Sequence, residues 1–327
     1  MGALNSIQLA ELCGVSQGTV YRALSGKGRI KEETKKHILK MAETHGYRPN
    51  PLADEMIRGK SRLVGAVLPV WEAPFYIDLL NAVQKKLADE GLTLLLATAE
   101  DEATRLRILD EFYIRRFNAV FLIPPTTAIK IPKNIQEGLN LISLVNPVKY
   151  CRNVMPDEEQ CGRLGTEYLI QKKHRRIVRV NWNLEMWAAR MRNNGYVETM
   201  KKHGLTPSFF SSDYSGETAS EQDRRLGNML KKERPTALFC HNDILAHKII
   251  LSLARLGLSV PRDISVLGTD ANPAFLQINA HLDSLIYPMQ AVAEQCAKTV
   301  AGKLKRASSN KPKFEIHRGN TVAEAGN

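Results

Sequence analysis

From Leu63 onward, apolar runs recur at 63–70, 92–99, 119–123, 141–145, 176–180, 237–240 and 264–268, with amphipathic helical stretches between them. Short apolar runs separated by helices predict parallel sheets wrapped by helices, because parallel neighbours need a crossover that a helix supplies. About 265 residues of this pattern predict two α/β lobes with a cleft between them. Ligands of open α/β sheets sit beyond the carboxyl ends of the strands. That rule selects Trp71, Phe75 and Tyr76 after the first run, and Trp182, Asn242, Asp243 and Asp270 after later ones. Arg192 lies on the helix following Trp182. Aromatic faces, a guanidinium, an amide and carboxylates suit a sugar, whose C–H faces stack and whose hydroxyls bond bidentately to planar groups. Phe75 and Trp187 are residues more often of a core than of a pocket, and Asp243 can simply cap the helix that follows it.

The N-terminal residues follow a different period. Asn5 with Gln8 three residues on is a capping box, opening a helix whose apolar positions are Leu9, Leu12 and Cys13. Gly14 ends that helix by taking a left-handed turn, Val15 plugs the corner, and Ser16 caps a second helix. Helix, short glycine turn and helix make a helix-turn-helix. Val20 and Leu24 face inward, which directs Gln17, Gly18, Tyr21 and Arg22 outward, where amide, phenol and guanidinium groups suit base edges and phosphates. A third helix over 32–45 carries Ile38, Leu39, Met41 and Ala42 as its inner stripe and stops at Gly46. Pro51 and Gly59 then bracket a short linker helix opened by Asn50.

The charge agrees with a polyanionic partner. The chain carries a net charge of +12, and residues 1–62 hold eleven basic against six acidic residues. No run reaches the roughly 18 apolar residues of a membrane helix, and no secretory signal opens the chain, so a cytoplasmic location is expected. Five scattered cysteines without ligand spacing predict neither a disulfide framework nor a zinc site, and no cofactor is expected.

Several segments together resemble the lactose-repressor (LacI/GalR-type) family of bacterial transcription regulators. They are Gly14-Val15-Ser16-x-x-Thr19-Val20-x-Arg22-x-Leu24, Glu33-Thr34, Gly46-Tyr47-Arg48-Pro49-Asn50, Val64-Gly65 and Pro74-Phe75-Tyr76. Further matches are Asp157, His174-Arg175-Arg176-Ile177, Arg192-x-x-Gly195-Tyr196, Asn242-Asp243, 260–266, Gly268-x-Asp270 and Pro288. The resemblance implies a small all-α helix-turn-helix domain plus an α/β two-lobed periplasmic-binding-protein-like domain. Its expected boundaries are 1–47 for the head, 48–61 for a hinge-helix linker, and 62–327 for a body that binds effector and dimerises. It implies double-stranded operator DNA as partner of a homodimer, contacted by Ser16, Gln17, Gly18, Thr19, Tyr21 and Arg22, with Asn50 and Met56 from the linker. Met56 stands where the family wedges an apolar side chain into the minor groove. The expected effector residues are Trp71, Phe75, Trp182, Arg192, Asn242 and Asp270.

Three departures stand out. Asp54 and Glu55 put carboxylates in the linker, Tyr21 replaces a small hydroxyl residue, and Lys31 replaces a Ser or Thr cap. An enzyme is a poor rival, since no dinucleotide fingerprint, P-loop or nucleophile elbow is present in the sequence. A free solute-binding protein would share the body and lack the basic head.

Overall fold

The computed structural model describes residues 4–26, 28–48, 61–69, 74–124, 129–182, 186–212, 218–271, 281–303 and 311–326. The chain divides into two compact units, Met1–Ser61 and Arg62–Asn327.

In the first unit α1 (Ser6–Leu12), α2 (Gln17–Ser25) and α3 (Glu32–Thr44) share one small core of Leu9, Ala10, Val20, Ala23, Ile38 and Ala42. The capping box is formed: Asn5 Oδ1 accepts from the Ile7 and Gln8 N–H groups, and Gln8 Oε1 accepts from the Asn5 N–H, all at 3.0 Å. Gly14 adopts φ +64°, the left-handed conformation that lets α2 start three residues later. Lys31 precedes α3 with no side-chain cap, as its long amine predicts. Two expected core residues are outside: Leu12 is 47% and Leu39 is 42% exposed. Each lies about 100° around its helix from the centre of the buried stripe, and helices this short cannot cover so wide a face.

The second unit contains the two sheets. β1 (Leu63–Leu68), α4 (Pro74–Ala88), β2 (Thr93–Thr98), α5 (Glu102–Ile114), β3 (Ala119–Leu122), α6 (Lys133–Gly138), β4 (Leu141–Ser143) and β5 (Arg152–Asn153) come first. Their strands form a parallel sheet in the order β2-β1-β3-β4-β5. Then follow α7 (Glu158–Gln171), β6 (Ile177–Asn181), α8 (Trp187–Lys202), β7 (Ser208–Ser211), α9 (Ala219–Glu233) and β8 (Ala237–Cys240). The chain ends with α10 (Asp243–Arg255), β9 (Ser265–Asp270), β10 (Asp283–Ile286), α11 (Met289–Val300) and β11 (Glu315–His317). The second sheet runs β11-β10-β9-β8-β6-β7, with β11 antiparallel to β10. After β10 the chain recrosses to pack α11 on α4, then returns as β11, so three passes join the lobes.

Every expected strand is present within a few residues, apart from Val70, which lies outside the described residues. The strands β5, β7, β10 and β11 have no counterpart among the expected ones, being two to four residues long and each opening on a polar residue. Glycine sets the closest helix contact. A Cβ on Gly162 of α7 would lie 2.0 Å from the Arg192 carbonyl oxygen, and one on Gly195 of α8 2.1 Å from that of Glu159. Backbone therefore meets backbone where α7 crosses α8.

Candidate nucleic-acid interface and ligand cleft

On α2, Ser16 Oγ accepts the Thr19 N–H at 3.3 Å and lies 2.9 Å from Thr19 Oγ1. The Arg22 guanidinium donates to that Thr19 hydroxyl at 3.1 Å, and Gln17 Nε2 donates to Ser6 Oγ at 2.8 Å. Gln17, Gly18 and Arg22 are exposed, Tyr21 and Thr19 half-buried, while Val20 and Ala23 face the core. Held by bonds one turn apart, this face presents preset side chains rather than free ones. A concavity of about 550 Å³ beside it is lined by Arg22, Arg29, Lys31 and Lys35, with Glu32 the one acid among its lining residues. Four cations around a recess at the end of a helix suit a phosphate backbone. Asn50 and Met56 lie outside the described residues.

In the body the carboxyl ends of both sheets meet. Asn146, buried after β4, donates from Nδ2 to the Pro124 carbonyl at 2.8 Å and accepts the Trp187 N–H at 3.1 Å, tying the first lobe to the start of α8. Val145 beside it takes φ +72°, rare for a β-branched residue, to turn Asn146 that way. A chain of edge-on aromatic pairs also links α4 of the first lobe to Tyr287 and Phe314. Phase by phase they run from Tyr76 to Phe75 (5.6 Å between centroids), Phe75 to Tyr287 (4.8 Å) and Tyr287 to Phe314 (5.6 Å). The Arg192 guanidinium lies 5.6 Å from the Phe314 ring centre.

Arg192 is the hub. Its Nε and Nη2 donate to Glu158 at 2.6 and 3.4 Å, its Nη1 donates to the His241 carbonyl at 2.7 Å, and Nη2 lies 3.6 Å from Asp270 Oδ1. Burial opposes its charge, but Glu158, Cys161 and Asp270 outweigh burial and hold the guanidinium above its ordinary range. One guanidinium cannot neutralise two carboxylates fully. Burial accordingly pushes the Asp270 carboxyl well above its usual value, Arg192 opposing and Asp243 and Glu158 adding to the rise. Burial first, and then the charge of Asp270, push the Tyr76 phenol up. Asp270 itself sits at φ +103° at the end of β9.

Asn242 is a cap: its Oδ1 accepts the Leu245 N–H at 2.9 Å, so the helix-capping role considered for Asp243 belongs to its neighbour. Asp243 instead accepts the Ser284 hydroxyl at 2.6 Å and occupies the space a Gly268 side chain would need. Trp182 follows β6 and is 39% exposed, and Phe75 is half-buried on α4. Trp71 lies outside the described residues. The structure thus brings Arg192 and Asp270 together, links Phe75 to them through Tyr287 and Phe314, and gives Asn242 a capping bond.

Sequence reasoning missed Glu158, Arg179 and Asn181. Glu158 reads as an ordinary first-turn acid beside the Asp157 cap, which accepts the Gln160 N–H at 3.0 Å. Arg179 did carry a signal, since a polar residue inside the apolar run 176–180 must be buried if the strand is central, whereas Asn181 lies one residue past that run.

A three-helix head with a helix-turn-helix, followed by two predominantly parallel sheets joined by three passes, defines a DNA-binding head on a periplasmic-binding-protein-like body. Residues 8–50 match the lacI family of bacterial regulatory proteins, and residues 166–320 match the periplasmic binding protein-like domain. The chain therefore carries a lacI-family head and a periplasmic-binding-protein-like domain. It is 23% identical over 320 residues to the HTH-type transcriptional repressor PurR of Aliivibrio salmonicida, covering 94% of this chain and 95% of that one. The HTH-type transcriptional repressor CytR of Escherichia coli is 25% identical over 265 residues, 78% of this chain and 76% of that one. Among solved structures, the Lac repressor bound to ONPG in the repressed state superposes with a TM-score of 0.82 at 18% identity, covering 98% of this chain and all of that one.

Proposed function

We propose that the chain is a sequence-specific DNA-binding regulator of transcription, a repressor like its named relatives, whose hold on its operator responds to a small polar metabolite. The carrying observation is that one chain joins an exposed, preset pair of Gln17 and Arg22, beside the half-buried Tyr21, to a polar hub of Arg192 and Asp270 at the strand ends. Ligand between the lobes can act on DNA only through different affinities for two lobe arrangements. A sugar or sugar derivative suits the aromatic and planar polar groups there, and a CelR regulator of the same fold is known in complex with cellobiose. Binding as a homodimer in the cytoplasm completes the reading. Leu95 and Leu96 on the edge strand β2 are 43% and 40% exposed, which supports pairing with a second copy. In this reading the linker 48–61 sets Asn50 and Met56 against the operator, and the domain limits are 1–47, 48–61 and 62–327.

The reading is tested at Arg22. Arg22→Ala should cost about 1 to 3 kcal/mol at a selected operator and leave the melting temperature of the body unmoved. An unchanged gel-shift affinity would remove α2 from the groove.

A further inference from the structure

We propose that Glu158 is a ligand-specificity residue: by occupying Arg192 it denies that guanidinium to an anion, so that an uncharged hydroxylated ligand is selected over its phosphorylated or carboxylated forms. The inference rests on the reading of this cleft as the effector site.

An arginine offers five N–H groups. In Arg192 Glu158 takes two of the nitrogens, the His241 carbonyl a third, and Asp270 shares one of those already used. An anion arriving at this guanidinium would meet both carboxyls. A second guanidinium lies below. Arg179, fully buried, stands 4.1 Å from the Phe239 ring centre and donates to the Phe239 and Cys240 carbonyls at 3.1 and 3.0 Å and to Asn193 Oδ1 at 3.3 Å. Against these two cations the same region sets the buried carboxyls of Glu158 and Asp243 and the half-buried one of Asp270, so among the described residues the carboxyls there outnumber the guanidiniums.

The hydrogen-bonding capacity left over is mostly uncharged. Among the described residues, both polar atoms of the Asn181 side chain and Nδ1 of His241 have no partner, and neither has Arg179 Nη2. Val180 and Cys240 face each other across β6 and β8, which sets Asn181 and His241 side by side at the carboxyl end. Burial, then Arg192 and Arg179, hold the His241 ring neutral. An amide and a neutral imidazole, each able to donate and accept, read hydroxyl groups. Stability alone does not call for Glu158, because buried ion pairs often contribute no more than apolar residues of the same volume. The close crossing at Gly162 and Gly195 nevertheless places Glu158 and Arg192 in contact.

The test uses the full chain and simple anions. Glu158→Ala removes the carboxylate and leaves room for a substitute, so sodium acetate should raise the melting temperature of this variant by several degrees over sodium chloride of equal ionic strength. The native chain should not respond. Glu158→Gln covers an alanine variant that fails to fold: its cleft gains one positive charge at constant volume, and sulfate should stabilise it beyond the native chain. Anions held by the basic recess of the head contribute equally to all three proteins and cancel. A native chain stabilised as much as the folded variants, or folded variants indifferent to both anions, would overturn the proposal. These titrations need no effector, so their failure would leave the effector reading standing, which the ligand affinity of Asp270→Ala judges separately.

Discussion

The polar groups of the head and those of the cleft are organised in opposite ways. Along α2 the contacts span three residues, Ser16 to Thr19 and Thr19 to Arg22, on an exposed face over a core of six residues. In the cleft, Glu158 reaches across 34 residues to Arg192, and Arg192 across 49 to His241, all of them buried. Local bonds on a surface cost little to form and can be rebuilt around a partner. Long-range bonds in a dry interior exist only when the whole lobe is folded, and a broken one leaves a buried charge uncompensated. The head is built to be read from outside, the cleft to register a shift in packing.

That contrast can be broken most forcefully at the helix crossing. Gly162→Ala or Gly195→Ala drives a methyl into a backbone carbonyl that cannot step aside, and should destabilise the body by about 1 to 3 kcal/mol or more while separating Arg192 from Glu158. Thermal unfolding by calorimetry should show the loss in the body's transition with the head unchanged. An additive, mild effect on both would mean that the crossing has slack.

A smaller effect belongs to the head. Asn5→Ala removes the acceptor for two N–H groups and one side of the capping box, costing about 1 kcal/mol of head stability. Amide exchange in α1 should report it, and protection in α7 and α8 should not change. A matching loss in the body would contradict the local character ascribed to the head.

The difference in bond length along the chain also explains what could be read beforehand. Asn5, Gln8, Gly14 and Ser16 announce the head because each acts within four residues of itself. The parallel body was legible from its apolar runs, and Arg192 and Asp270 from their places at and near strand ends. Glu158 was not, because its partner is fixed by the crossing of α7 and α8 and by no local pattern. Asn242, expected as a ligand group from its place after β8, also has a local job, the capping of α10 through its Oδ1. Leu12 and Leu39 were placed inside by period alone, which says where a stripe begins and not how far its neighbours cover it.

The smallest effect is one of pH. A carboxyl raised by burial stays protonated in the folded chain at pH values where the unfolded chain has released the proton, so it lowers stability as pH rises from the usual aspartate range toward its folded value. Asp270→Asn removes that loss. The variant should melt above the parent near neutral pH, and the gap should close as pH falls through the usual aspartate range. A gap that widens toward acid would place the charge of Asp270 among the stabilising ones.

The central claim is that the cleft governs the head. Gel-shift titration of the full chain on a selected operator, with and without a ligand identified by its effect on melting temperature, measures this coupling directly. The account predicts a change in operator affinity of about 5- to 150-fold. In Asp270→Ala the coupling should vanish at the same ligand concentration while ligand-free operator affinity is kept. A ligand that binds the cleft tightly and leaves operator affinity untouched would contradict the account.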